Sequence, residues 1–184
     1  MKAIEKAYLK LKHYVFSNNL HGTHSPFVYE FLEKVVYKVQ SEDKYSSIPH
    51  VNLFKAIQAY YSLNKVVYLG YNKALVPSDD STITCDYDER FPELLENSAI
   101  EMVVMNKSHH MNVLTTFMNI ILSSNNKPMF IIVNKIYESE QMQKAWKHFL
   151  ADPKITICMD FFYFGIVVIR DGQRKENFKL RLKM

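Results

Sequence analysis

The sequence predicts an α/β protein built on a mostly parallel sheet. Three apolar runs have the length of buried strands, at 65–71 (KVVYLGY), 101–106 (EMVVMN) and 129–134 (MFIIVN). Amphipathic helical stretches follow the second and third runs, and strands alternating with helices are typical of βαβ units. The last two runs, 155–161 and 164–170, are joined too tightly for a parallel crossover. We therefore expect them to form an antiparallel hairpin at one side of the sheet.

Composition and charge fit one globular domain. The chain has 184 residues, 48% apolar and 23% charged, which is ordinary for a soluble protein. We predict a single domain over 1–184, with an N-terminal helical extension (1–45) and a core (46–184). The net charge of +4 indicates a solvated surface rather than a nucleic-acid-binding one. Two cysteines without a CxxC pair, a charged N-terminus and no long apolar run predict a cytoplasmic protein with no membrane partner.

The extension begins with a predicted helix over 2–18. Its side chains Ile4, Tyr8, Leu11 and Val15 share one face, and the lysines lie largely elsewhere. A basic amphipathic helix can lie on a membrane surface. We favour the alternative, a surface helix that is docked on the protein's own domain.

A second predicted helix of the extension runs over 26–40. Ser25 is a good N-cap and Pro26 a good first helical residue. His21 and His24 lie in the turn before it. Neither has a carboxylate or a third histidine at a ligand spacing nearby, so we interpret both as polar turn residues and expect no metal site.

The core contains further elements between and after the three apolar runs. They are a helix at 51–63, a loop at 72–81, a strand at 82–87, and helices at 91–97, 110–122 and 139–150. Ser139 is the expected N-cap of the last helix, and Pro153 ends it. The tail FKLRL alternates in polarity, which predicts a short edge strand.

Several segments resemble one family along most of the chain. They are HGTHSPFVYEFLEKV, VVYLG, EMVVMNKSHH, VNKIYESEQMQKAW and the C-terminal MQKAWKHFLADPKITICMDFFYFGIVVIR. Together they resemble bacterial putative methyltransferases with an N-terminal HGxHSPFVF signature, which are class I S-adenosylmethionine-dependent enzymes. The resemblance implies a Rossmann-like methyltransferase fold, in which parallel strands end in an antiparallel hairpin. The end segments are specific, and the middle ones are weak.

The sequence departs from that family where the cofactor would bind. The family places an acidic residue and two or three glycines around the end of the first strand, so that the backbone can approach the cofactor closely. Here Tyr68 stands in place of the acid, and Gly70 is followed by no other glycine until Gly165. Asp86 and Asp88 are the two candidates for the acid that bonds the cofactor ribose in the family. However, CDYDERFPELL is closer to the family's third-strand segment than to its second.

Two further departures concern the ends of the fourth and fifth family strands. The family has Asp-Gly after the fourth strand and two aspartates after the fifth, where this chain has Asn106-Lys107 and Asn134-Lys135. In related metal-dependent enzymes such aspartates hold a divalent cation, which amide and ammonium groups do not replace. The segment after Tyr71 is also shorter than in the family, by roughly the length of two helices. We therefore assign no catalytic residue, no metal ligand and no cofactor, and keep Gly70 and Asp86 as residual cofactor-binding candidates.

Three functions compete. The first is a degenerate methyltransferase-like protein that binds, regulates or supports a structure without catalysis. The second is an active methyltransferase with an atypical S-adenosylmethionine loop, whose base would be His109 or His110. The third is an anion- or nucleotide-binding module that uses Lys73, Lys107 and Lys135. Each of these lysines follows a predicted strand, so we expect the three ammonium groups to converge at one sheet edge and bind a small anion.

The shortened helix set also predicts an incompletely covered sheet. A parallel sheet needs both faces buried. We expect the helices over 2–18 and 26–40 to cover the depleted face only partly, leaving Val66, Tyr68 or Ile83 exposed. A homodimer would then bury the remainder.

Overall fold

The protein is an α/β structure with a seven-stranded mixed sheet. A computed structural model describes residues 3–19, 22–40, 51–71, 76, 80–106 and 111–182. The strands are β1 (Val66–Leu69), β2 (Thr82–Cys85), β3 (Met102–Met105), β4 (Phe130–Asn134), β5 (Ile157–Asp160), β6 (Phe164–Val168) and β7 (Glu176–Lys179). Their order across the sheet is β2-β1-β3-β4-β6-β5-β7.

The pairing of the strands confirms the predicted sheet. Strands β2, β1, β3 and β4 are parallel neighbours. Strand β6 is antiparallel to both β4 and β5, so the last two apolar runs form the expected hairpin. The tail contributes the predicted edge strand, β7, which pairs parallel to β5. Strand β2 lies directly beside β1, which settles its position in the sheet.

The helices lie close to their predicted positions. They are α1 (Ala3–Phe16), α2 (Pro26–Phe31), α3 (Tyr37–Gln40), α4 (Val51–Tyr60), α5 (Arg90–Asn97), α6 (Met111–Ser123) and α7 (Glu140–Ala151), with a π-helical segment, Leu32–Val36, between α2 and α3. Ser139 caps α7 as expected, because its hydroxyl accepts a hydrogen bond from the Met142 N–H. Ser25 stands at the N-cap of α2, but its side chain makes no capping bond. Within the described parts of the chain, no helix is long and apolar enough to cross a bilayer.

Each face of the sheet contributes to a separate apolar core. Along β1, Val66 and Tyr68 point into a core shared with α2, the π-helical segment and α4. Val67 and Leu69 point to the opposite side, into a core shared with α5, α6 and α7. Both cores are continuous with the side chains of β3, β4 and β6.

The expectation of a partly uncovered sheet is wrong for the first face. Val66 and Tyr68 are fully buried, because Phe31, Leu32 and Phe54 of the covering helices pack in the same core. Ile83 belongs to the other face and is half-buried against the second core. The helices of 26–40 and 51–60 therefore bury Val66 and Tyr68 within the same chain, where we expected a second subunit to bury them.

Helix α1 docks on the protein's own domain, as predicted, but not through its apolar face. Ile4, Tyr8, Leu11 and Val15 are all exposed to solvent. The helix contacts the rest of the protein through its polar side instead, where His13 is buried. The physical reason is a buried acceptor beneath that side, described below.

Candidate functional site

The candidate site is the edge at which β1, β3 and β4 end. The residues at this edge are Gly70 and Tyr71 after β1, Asn106 after β3, and Asn134 at the end of β4. Carboxyl ends of parallel strands meet at one edge, where α/β proteins commonly bind ligands. Gly70 has a φ of 72°, in the left-handed region that favours glycine, and its N–H donates to the carbonyl of Cys85 at 2.8 Å.

The ring of Tyr87 lies directly on Gly70. A Cβ atom added to Gly70 would be 2.4 Å from the Cε2 atom of Tyr87. The Tyr87 ring also packs edge-on against Phe117, with ring centroids 5.1 Å apart. Its hydroxyl donates a hydrogen bond to the backbone oxygen of Asn106. The absence of a side chain at Gly70 thus makes room for the Tyr87 ring of the same protein.

Both asparagines of the edge make hydrogen bonds within the site. The Asn106 side-chain amide donates to the backbone oxygen of Gly70 at 2.9 Å. The Asn134 amide, which is buried, donates to the hydroxyl of Tyr71 at 3.0 Å. These bonds tie β1 to β3 and β4 beyond the ends of the strands. The amides carry no charge, so they supply neither a general base nor a ligand set for a hard cation.

The two tyrosines of the edge are neutral hydrogen-bonding groups. Burial raises the pKa of the Tyr87 phenol well above its usual value. Burial likewise raises the pKa of Tyr71, partly offset by the hydrogen bond from Asn134. Neither hydroxyl can therefore act as a base near neutral pH, and both remain donors or acceptors.

The two residual cofactor candidates follow neighbouring strands, since Leu69 of β1 pairs with Cys85 of β2, but their surroundings differ. Gly70 lies at the edge, beneath Tyr87. Asp86 follows β2 and has a side chain that is 76% exposed, with its carboxylate 3.6 Å from the guanidinium of Arg90. The same guanidinium bonds Asp88 at 2.6 Å and lowers the pKa of that carboxyl. Asp86 is thus part of an exposed charge cluster beside α5.

Of the three anion-binding candidates, only Lys135 lies within the described residues. Lys73 and Lys107 fall outside them, as do His21, His109 and His110. Lys135 follows β4 in a turn with a φ of 58°, and its N–H donates to the Tyr163 carbonyl at 2.7 Å. The predicted convergence of the three ammonium groups therefore stays a prediction.

Lys135 does line a cavity, of about 190 Å³, beneath the N-terminal helix. The other residues around this cavity are Lys6, Asn134, Tyr137, Glu138, Phe162 and Tyr163. Lys6 is paired with Glu138 at 2.8 Å. Two ammonium groups and one carboxylate leave the cavity with one net positive charge.

A buried network at the end of β5 was not found from the sequence. One carboxylate oxygen of Asp160 lies 2.9 Å from Nε2 of His13 and 2.9 Å from the N–H of Phe162. The other oxygen accepts a hydrogen bond from the Tyr137 hydroxyl at 2.7 Å. Asp160 and His13 are both buried. An aspartate inside the apolar run ICMDFF was the available signal, because such a group is buried only when it is paired.

The network serves two structural purposes. It holds the hairpin turn, where Phe162 has a φ of 70° and lies stacked on Tyr137 with ring centroids 4.9 Å apart. It also fixes α1, since Nε2 of His13 is 3.1 Å from the Asp160 backbone oxygen as well. Both partner oxygens are acceptors, so Nε2 carries the hydrogen. The three donors to this carboxylate come from α1, from the turn after β4 and from the hairpin turn, so the network joins these three parts of the chain.

Comparison of the chain with protein-family models, with curated proteins and with solved structures finds no match.

Proposed function

We propose that this protein is a degenerate S-adenosylmethionine-dependent methyltransferase-like protein that acts by binding rather than by catalysis. Two observations support a methyltransferase origin: the sequence resemblance, and three parallel strands followed by an antiparallel pair. A fold by itself does not establish an activity. The proposal therefore depends on the state of the edge where the cofactor would lie.

The observation that carries the proposal is the Tyr87 ring on Gly70. In the resembling enzymes this glycine turn approaches the cofactor, and here a Cβ at the turn would already meet Tyr87 at 2.4 Å. The acid expected before the turn is replaced by Tyr68, whose side chain is fully buried in the core. Asn106 and Asn134 stand where the family has aspartates, and their side-chain amides make hydrogen bonds within the protein.

Calorimetric titration with S-adenosylmethionine tests the proposal. We expect the natural protein to show no saturable binding at micromolar concentration, either of S-adenosylmethionine or of S-adenosylhomocysteine. Stoichiometric micromolar binding would overturn the proposal and favour the active enzyme with an atypical loop. The variant Tyr87→Ala removes the ring, and Tyr29→Ala, an exposed tyrosine on α2, is the matched control. If Tyr87→Ala binds S-adenosylmethionine and Tyr29→Ala does not, the Tyr87 ring is the cause of the lost cofactor binding.

A second candidate function is the binding of a small anion. The observation that favours it is the cavity in which Lys6 and Lys135 share one lining with a net positive charge. Thermal unfolding with increasing inorganic phosphate tests it. Phosphate should raise the melting temperature in a salt-dependent way, and Lys135→Glu should abolish the shift. Lys55→Glu, at an exposed position on α4, is the control for the change of net charge.

The cytoplasmic location remains a prediction. It is supported by Cys85 and Cys158, which are both free thiols.

A further inference from the structure

The outward face of α1 is a row of large apolar side chains. Ile4 is 84% exposed, Tyr8 62%, Leu11 63% and Val15 62%. These four residues form what we call the α1 seam. Soluble monomers rarely expose a contiguous apolar row of this kind, and such rows commonly mark an interface.

The seam cannot turn inward, because the opposite side of the helix is fastened. Nε2 of His13 bonds the buried Asp160, and Lys6 pairs with Glu138 at 2.8 Å. The ammonium group of Lys10 lies 5.4 Å from the centre of the Tyr163 ring. At 100° per residue, the seam and this docked side lie about 180° apart around the helix axis. The helix therefore presents the seam to solvent as a fixed surface.

We infer that the α1 seam binds the α1 seam of a second copy of this chain. The spacing of the four residues is four, three and four, which is the alternation of d and a positions in a coiled coil. The docked residues Lys6 and His13 both fall at the f position, which faces away from a coiled-coil partner.

The charges beside the seam select an antiparallel pair. Glu5 and Lys12 occupy successive e positions on one flank of the seam. In an antiparallel pair, e positions of the two helices face each other, so each Glu5 meets Lys12 of the second copy, twice by symmetry. In a parallel pair e faces g, and Lys12 would meet Ala7. Antiparallel pairing also places Ile4 against Val15 and Tyr8 against Leu11.

The size of this contact predicts a weak dimer. A helix of 14 residues is about 21 Å long, so the two helices alone would bury on the order of 800 Å² in total. That lies below the roughly 1,200–2,000 Å² of stable specific interfaces, so we expect a transient dimer with a dissociation constant that is micromolar or weaker. This interface is separate from the sheet face on which we first expected a dimer, and it does not depend on the proposed function.

Sedimentation velocity over a concentration series tests the inference. The natural protein should pass from monomer to dimer in the micromolar range. Leu11→Glu should weaken the dimer about tenfold or more, since each copy loses one buried leucine. Tyr29→Glu changes an exposed apolar residue on α2 in the same way and should leave the dimer unchanged. A monomer at every concentration, or a dimer that survives Leu11→Glu, would overturn the inference.

Charge variants test the antiparallel register of the dimer. Lipid vesicles test the alternative, in which the seam binds a membrane surface. Lys12→Glu should weaken the dimer, and adding Glu5→Lys should restore it, because the exchanged pair is again complementary. Failure of the double variant to regain dimerisation contradicts the antiparallel register. If the protein stays monomeric and binds vesicles rich in phosphatidylserine, the seam is a membrane-binding surface and the inference of a second copy is overturned. Circular dichroism of each variant checks that the fold is unchanged.

Discussion

The buried carboxylate of Asp160 should contribute more to stability than any exposed ion pair of the protein. It accepts three hydrogen bonds, from His13 at 2.9 Å, from Phe162 at 2.9 Å and from Tyr137 at 2.7 Å. Asp160→Ala leaves all three donors without this acceptor. A buried donor left without its partner costs about 1–3 kcal/mol, and His13 keeps the Asp160 backbone oxygen, so the total loss is about 3–5 kcal/mol. We therefore expect Asp160→Ala to lower the free energy of unfolding by about that amount.

Removal of His13 should cost less and act locally. In His13→Ala the carboxylate keeps its bonds from Tyr137 and Phe162, so we expect a loss of about 1–3 kcal/mol. The ion pair between Lys6 of α1 and Glu138 is exposed and worth about 0–1 kcal/mol. Helix α1 should then separate from the hairpin more often than the rest of the protein unfolds.

Urea unfolding and amide hydrogen exchange measure these two effects. Urea unfolding should rank the variants with Asp160→Ala below His13→Ala, and His13→Ala below the matched surface variant Lys6→Ala. Hydrogen exchange should show faster exchange of the α1 amides in His13→Ala, with the amides of β1 and β3 unchanged. An Asp160→Ala variant within about 1 kcal/mol of the natural protein would refute the reasoning. Unchanged α1 exchange in His13→Ala would refute it as well.

Three further predictions concern close packing and burial. Gly70→Ala should destabilise the protein more than Gly172→Ala, by about 1–3 kcal/mol in urea unfolding, because both have positive φ but only Gly70 meets the Tyr87 ring. An equal destabilisation at both sites would show that the Tyr87 ring moves away from the new Cβ without cost, which contradicts the prediction. Gly165→Ala should fail to fold or unfold well below the natural melting temperature, since the new Cβ would lie 2.3 Å from the ring of the only tryptophan. Burial raises the pKa of Cys158 to about 12, so its thiol stays protonated at pH 9, where an unfolded cysteine is half ionised. Iodoacetamide at that pH should therefore label Cys158 only after unfolding, as mass spectrometry would show, and rapid labelling of the folded protein would contradict this.

The sheet could be predicted because its strands carry local signals. Buried parallel strands need continuous apolar runs, and β1, β3 and β4 are such runs. The short connection between β5 and β6 left only antiparallel pairing. Coverage of the sheet was harder to predict, because it depends on which helices reach which face. The helices of 26–40 cover the face that we expected the shortened chain to leave open.

The candidate edge could be predicted as a place but not as a set of contacts. Gly70, Asn106 and Lys135 were identified because each follows a strand. Nothing in the spacing shows that Tyr87, 17 positions after Gly70, would lie on that glycine, since this contact depends on the path of the chain around β2. The pairing of His13 with Asp160 joins residues 147 positions apart and has no local signature.

The orientation of α1 follows from competition between a buried charge and an apolar face. An amphipathic helix normally buries its apolar side. Exposure of four large apolar residues forgoes up to about 6–12 kcal/mol, whereas loss of the His13 bond to Asp160 costs about 1–3 kcal/mol. The apolar term is gained only where an apolar surface is free to receive the seam, and the helices of 26–40 and 51–60 already cover the sheet face that we expected the extension to cover. A second copy on the seam recovers part of the apolar term while Asp160 keeps its donors, and this is the reason for assigning the seam to a second copy.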